Sequence, residues 1–285
     1  MKPKTLRHSG ILAGVLLALA SGAPAAEEGM FTPGVTNAAL DVMGGQVDGD
    51  GARVFGGNVD WLFGENWGLQ FDLAGGKADG EDRRSGGDEV RVGDDSVLGF
   101  GGHLFWSNPE RGLLDFNAAH VSWGDLDLAR AGFIGKWYSG PFTVTGRLEY
   151  QDADRLGSGL NSALDVRWYP LPLFMLKAGG QEADGEGQFN LGFEFLPGFG
   201  PAPGLSIVGD AARGEDGYDQ FFVGLRYYFG GGGKTLRERH RRDVPLDNDW
   251  LLRDLQSLDK ARQTCPYSPN EDEDLYYTYC EPPIE

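Results

Sequence analysis

Cysteine is nearly absent from the 285 residues: the chain has only Cys265 and Cys280, both in its last stretch. No disulfide framework therefore organises the body of the chain. In an exported protein, two cysteines this close in sequence most simply form one disulfide, and with no His or further Cys nearby a metal pair is the weaker reading. Long apolar runs are also missing, since nothing approaches the ~20 residues that a spanning helix needs. The longest, Ile11 to Ala20, follows Lys2, Lys4 and Arg7 and precedes Ala23-Pro24-Ala25, the pattern of a signal peptide cleaved near Ala25. No Cys follows the cut, which argues against a lipoprotein anchor. Positive charge is scarce, with 25 Lys and Arg against 43 Asp and Glu and a formal net charge of −18. Such acidity argues against nucleic acid as a partner. Histidine is scarce too. Beyond the leader only His103, His120 and His240 remain, which leaves few candidates for a general base.

Glycine (46 residues) and aromatics (12%) are plentiful, and they sit in segments that alternate apolar and polar side chains. A strand places alternate side chains on opposite faces, so a strand between lipid and a wet interior needs only every second residue apolar. Twelve such segments recur: 35–46, 52–63, 67–77, 95–107, 112–123, 126–138, 141–152, 159–169, 172–181, 186–196, 203–212 and 218–229. In the third, Trp67, Leu69, Phe71 and Leu73 oppose Gln70 and Asp72. In the seventh, Phe142, Val144, Leu148 and Tyr150 oppose Thr143, Thr145, Arg147 and Glu149. The fourth, fifth and eleventh alternate less cleanly, and His120 falls on the apolar face of its strand. An even strand number lets first and last strands pair, leaving no open edge in hydrocarbon.

The connections alternate as well. Gly64-Glu65-Asn66, Asn108 to Gly112, Ser139-Gly140-Pro141, Pro170 to Pro172 and Leu196 to Pro203 use Gly, Pro and Asn as turns require. The others carry carboxylates, and the longest, 77–96, is on their side. Short turns on the periplasmic side and longer loops outside are the habit of bacterial barrels. The acidic loops match no calcium-loop spacing and read as solvated surface.

Tyr218 to Phe229 (YDQFFVGLRYYF) puts Phe221, Val223, Leu225, Tyr227 and Phe229 on one face. With Gly224, Tyr227 and Phe229 in the Gly-x-x-aromatic-x-aromatic places, it resembles the last-strand signal of Gram-negative outer-membrane β-barrels. Two departures stand out: Phe222 occupies a place that is usually polar, and residues 230–285 follow where such barrels usually stop. The resemblance implies an integral outer-membrane protein inserted by the barrel-assembly machinery and in contact with outer-membrane lipid and lipopolysaccharide. The expected organisation is a signal peptide (1–25), a lead-in (26–34), an all-β, antiparallel transmembrane barrel of about twelve strands (35–229) and a periplasmic tail (230–285).

In that tail, Gly230 to Gly233 lead into a basic run, Arg237 to Arg242, suited to inner-leaflet phosphates or to the acidic lumen mouth. Asp247 to Arg262 reads as one amphipathic helix with Leu251, Leu255 and Leu258 on a stripe. That stripe is fit to plug the barrel, to dock a partner or to pack on the loop closed by Cys265 and Cys280.

The inward faces sort by charge. Arg130, Lys136, Arg147, Arg167, Lys177 and Arg226 come from the second half of the barrel, and Asp41, Asp60, Asp72 and Asp115 from the first. Opposed charged walls are a means of steering solutes through a channel. Equally, these groups can pair with Glu149, Asp165, Glu194 and Asp210 into a network that fills the lumen, because buried charges demand partners. The expected function is a porin-like channel for passive diffusion of small hydrophilic or charged solutes. The alternative is a non-conducting structural or adhesive barrel whose loops and tail bind partners. Membrane-barrel hydrolases need Ser and His together on the wall; His103 has no Ser at matched depth, and Ser122 and Ser96 lie near strand ends. No enzyme activity, cofactor or metal is expected.

Overall fold

The computed structural model describes residues 34–258 except 79–81, 86–87, 92–94, 124–125, 155, 184, 199–201, 230–232, 244–245, 247–250 and 256. The expected signal peptide and the pair Cys265 and Cys280 lie outside the described residues. Twelve strands close into one antiparallel barrel: β1 (Gly34–Val47), β2 (Asp50–Phe63), β3 (Trp67–Ala78), β6 (Asp95–Asn108), β7 (Gly112–Trp123), β8 (Leu126–Ser139), β9 (Phe142–Ala153), β10 (Gly157–Leu171), β11 (Phe174–Ala183), β12 (Glu186–Phe195), β13 (Leu205–Gly214) and β14 (Asp219–Tyr228). A small hairpin, β4 (Asp82–Ser85) and β5 (Asp88–Arg91), sits in the longest connection. The seam pairs β1 with β14, from Ala39 opposite Tyr228 to Val47 opposite Gln220. Every predicted strand is present, with ends within two residues of expectation.

The alternation decides which face is which. On β8, Phe133 and Trp137 are 64% and 62% exposed, while Ile134 and Lys136 between them are 5% and 6% exposed. A barrel that turned its largest apolar side chains to water would be inverted, so the outer face is the lipid face. Aromatics gather towards its short-turn end, with Phe142 stacked on Trp168 (centroids 6.5 Å apart) and Tyr227 edge-on to Phe229 (4.9 Å). This is the girdle that membrane interfaces favour. Pro170, which lacks an N–H, falls where the β10–β11 register slips between Trp168 and Leu171, at the strand's end where the loss is tolerated. At the seam, a Cβ on Gly224 would run into the backbone carbonyl of Val42, so this strand pair closes only with glycine there.

The described part of the tail does not hang beneath the barrel. Leu236, Arg239, His240, Asp243, Leu246, Leu251, Leu252, Asp254, Leu255, Ser257 and Leu258 are all buried. Leu236 packs with Tyr169, Met175, Leu196 and Tyr228 at the short-turn end. Leu246 packs with Phe105, Leu113, Ile134 and Tyr138. Leu251, Leu252, Leu255 and Leu258 join a cluster at the loop end that includes Val47, Val54, Val97, Trp123, Leu126, Leu128 and Phe222. Residues 251–255 and 257–258 are helical, as the leucine stripe requires. These residues lie within the barrel, the plugging placement that the leucine stripe allowed. The physical reason is that the upper lumen wall is apolar and needs an apolar partner.

Candidate functional site: the barrel lumen

All ten charged residues expected to line the interior lie on inward faces. Asp41, Asp60, Asp72, Asp115, Arg130, Lys136, Arg147 and Arg167 are buried, and Lys177 and Arg226 nearly so. They do not form two bare walls. Arg130 lies 3.7 Å from Glu149, Arg147 bonds Asp165, Lys177 reaches Asp210 at 2.6 Å, and Arg226 reaches Glu194 at 3.1 Å. These are the four carboxylates singled out as partners in the filled-lumen reading. Where the first and second halves of the barrel meet at the seam, Arg226 also grips Asp41 with two nitrogens, at 2.6 and 3.1 Å. Such forked, charge-assisted pairs hold both groups in one geometry.

His103, with no serine to serve, is held between two carboxylates: Nδ1 lies 2.8 Å from Asp115 and Nε2 2.9 Å from Asp72. It ties β3, β6 and β7 together at lumen depth.

The tail completes the network. His240 enters the short-turn mouth, where its Nε2 lies 2.8 Å from the Tyr228 hydroxyl and 3.1 Å from Glu194, and its Nδ1 3.0 Å from the Tyr169 hydroxyl. Glu194 in turn accepts from Ser206 and Tyr228, each at 2.7 Å. The basic run folds into the mouth as well. The Arg239 guanidinium is fully buried over the Tyr228 ring at 5.2 Å, while Arg241 lies over Tyr138 at 4.7 Å and donates to the Phe142 carbonyl at 2.7 Å. Thr235 and Glu238 form a capping box that starts this turn. The same contacts hold Glu238, at the exposed mouth, below the usual carboxylate range through the Thr235 backbone N–H and hydroxyl. Higher up, Arg130 donates to Asp254 at 2.7 Å and Gln181 to the Arg253 carbonyl at 3.2 Å.

Little space remains. A twelve-strand barrel with strands ~4.8 Å apart and tilted ~40° is about 24 Å across at the backbone. A helix about 10–12 Å wide leaves roughly 6 Å on each side, the reach of the inward arginines and leucines. Among the described residues the lumen shows small hollows of about 50 Å³ beside Met43, Arg167, Lys177, Arg226 and Leu252 and about 20 Å³ beside Arg130, Glu149, Arg253 and Asp254. Among the described residues no group of His, Cys, Asp and Glu is arranged to hold a metal ion.

One Ser–His–Asp grouping does occur, on the outer face near the loop end. Ser122 Oγ donates to Asp127 at 2.6 Å, and His120 Nε2 lies 3.2 Å from that oxygen and 3.4 Å from Asp127. A hydroxyl has one proton. If it goes to Asp127, the His120 contact must be a donation from Nε2–H, so the imidazole does not act as base towards Ser122. The carboxylate also approaches the serine-side nitrogen, whereas a triad's third member holds the far one. This trio explains why a polar residue is tolerated on the lipid-facing side of β7, and it is not arranged for nucleophilic catalysis.

No family model matches the chain, and no curated protein matches it. Solved structures do. A KdgM porin in complex with disordered oligogalacturonate superposes with a TM-score of 0.50 at 10% identity, covering 67% of this chain and 99% of that one. An outer membrane channel from Pseudomonas putida F1 gives 0.48 at 12% identity, over 72% and 99%. Outer membrane phospholipase A from Escherichia coli gives 0.47 at 12% identity, over 71% and 94%. The architecture is that of outer-membrane β-barrel proteins. Identities this low speak for the fold and carry no activity across.

Proposed function

We propose that the protein is a porin-like channel of the Gram-negative outer membrane, for small hydrophilic or charged solutes, held shut by its own C-terminal segment. One observation carries the reading. The segment that fills the lumen belongs to no strand ladder, and β1 and β14 close the barrel without it. Among the described residues it is therefore a part of the interior that can leave while the wall stays intact. The mid-lumen wall behind it carries the ion pairs Arg147–Asp165 and Lys177–Asp210 together with the buried Arg167, a lining that suits water and ions better than a dry core.

A second reading is favoured by a different observation. The loop-end wall is apolar and matched to the leucines of the segment, as in a barrel that never opens.

Planar-bilayer recording of the full chain and of a variant lacking 231–285, both folded by heat-modifiable mobility, separates the two. Rare discrete steps from the full chain that become frequent in the truncation support the gated channel. A full chain that never opens beside a conducting truncation overturns the gate in favour of the permanently filled barrel, and silence from both overturns the channel altogether.

A further inference from the structure

The basic run divides between two surroundings. Arg239 and His240 are buried in the mouth, whereas Arg237 and Arg242 are exposed and Arg241 is half-buried. Arg237 and Arg241 reach out to the rim at the β8–β9 turn. Arg237 Nη1 and Arg241 Nη2 both donate to the Gly140 carbonyl, at 3.3 and 3.1 Å, and Arg241 Nη2 also donates to the Phe142 carbonyl at 2.7 Å. Two guanidiniums thus converge on one acceptor, no further apart than those two bonds allow. The carboxylates of the same turn are already engaged. Asp243 lies 2.7 Å from Lys234 and 3.7 Å from Arg239. Glu238 accepts from the Thr235 N–H and hydroxyl, each at 2.8 Å, and its single charge is shared by Arg242 and Arg237. Burial, and the Arg237 charge beside it, hold Arg241 below the usual guanidinium range. Cations crowded in this way are more stable with an anion between them.

The two carbonyls set the height of this cluster. Phe142 is exposed on the outer face and stacks on Trp168, and Trp137, on the strand before the turn, is exposed there too. Such rings sit at the level of lipid headgroups, so arginines bonded to Gly140 and Phe142 stand at that level as well. Short turns mark the periplasmic end, which makes the leaflet the inner one. We infer that Arg237, Arg241 and Arg242 form a binding site for the phosphate of an anionic phospholipid of the inner leaflet, with its acyl chains along Trp137, Phe142 and Trp168. Guanidiniums suit phosphate oxygens, and anionic headgroups draw cations held near the membrane surface. The Gly140 and Phe142 bonds use one nitrogen of each arginine, leaving Arg237 Nη2 and Arg241 Nη1 for the phosphate. Free phosphate would use the arginines but not the flanking rings. The lipid joins two cations that repel each other and pins the foot of the segment to the rim. The choice of leaflet rests on the proposed outer-membrane placement, while the site itself requires no conductance.

The test is lipid retention by the purified full chain, read by native mass spectrometry in detergent with equal amounts of phosphatidylglycerol and phosphatidylcholine. Two cations at a lipid surface correspond to a preference of about thirtyfold for the anionic lipid. Arg237→Gln with Arg241→Gln should abolish that preference. Arg111→Gln with Arg213→Gln takes the same charge from exposed positions elsewhere and should leave it unchanged. Arg237→Lys with Arg241→Lys keeps the charge and should keep most of the preference, which separates loss of the phosphate contact from loss of the fold; heat-modifiable mobility checks the barrel in every variant. A preference that survives the Arg237 and Arg241 Gln pair, or that falls equally in both Gln pairs, overturns the site. Displacement of the lipid by millimolar inorganic phosphate overturns the lipid as its occupant. Silence from the truncated barrel in a bilayer would refute the gate and leave this result standing.

Discussion

Truncating the leucines that anchor the segment under the loop end is the sharpest perturbation available. Leu255 and Leu258 are 3% and 1% exposed and belong to the cluster that includes Trp123, Leu126, Leu128 and Phe222. Each Leu→Ala change removes buried methyl groups and leaves a cavity, at about 2–5 kcal/mol apiece. The two sites are one helical turn apart and share neighbours, so their effects will not simply add. Taking about 4 kcal/mol for the pair, the ratio of seated to released segment falls about a thousandfold, since about 1.4 kcal/mol is a factor of ten. The barrel ladder itself is untouched. Two measurements read the change on Leu255→Ala/Leu258→Ala. Proteolytic removal of the segment from folded barrel should accelerate in proportion to the released population when reseating is fast. Bilayer recordings should show open events rising by the same order. Leu164→Ala is the control, because that side chain is 59% exposed on the lipid face of β10 and should change neither. Unchanged protease protection in the double variant would mean that the leucines do not hold the segment, and the seated-segment account would fail.

Two further outcomes follow from the wall. In the protein lacking 231–285, Arg147→Gln with Arg167→Gln removes two inward cations and leaves Asp165 without its Arg147 partner; the reversal potential in a salt gradient should shift towards cation selectivity, and an unchanged potential in a conducting channel would refute their place on the ion path. Gly224→Val places atoms against the Val42 carbonyl across the seam, and because a backbone group has nowhere to move, a loss of about 1–3 kcal/mol or more is expected, read as a lower temperature for the heat-modifiable transition; an unaltered transition would show that the seam tolerates a side chain there.

The barrel was legible because its signal is local. Phe133, Ile134 and Lys136 alternate outward and inward whatever happens elsewhere, and a turn such as Gly64-Glu65-Asn66 marks itself by composition. The ten inward charges followed from the same parity, and so did the four carboxylates that pair with them. The route of the tail is not local. Leu251, Leu255 and Leu258 announce a helix with one apolar face, but any apolar surface would satisfy that face, so plug, partner and self-packing all fitted. What distinguishes them is distributed over strands far apart in sequence: Val47, Val54, Val97, Val121, Trp123 and Leu128 are inward residues at the loop end that a watery pore would not carry. Their trace in the sequence was the weak alternation of the fourth and fifth segments, the β6 and β7 strands, which looks like noise until the inward face is known to meet something apolar.

The two departures from the last-strand pattern then have one cause. Phe222 takes a usually polar place because its inward side chain is fully buried in the same cluster as the four tail leucines. Residues follow Phe229 because the chain turns back into the mouth, where Tyr228, the inward neighbour of the terminal aromatics, bonds His240 at 2.8 Å. An aromatic at 222 without the tail would face an open lumen, and a tail helix without Phe222 would lack part of its socket. Each feature is costly alone and favourable only with the other, which is the signature of an interior built to receive the segment rather than one that captures it by chance.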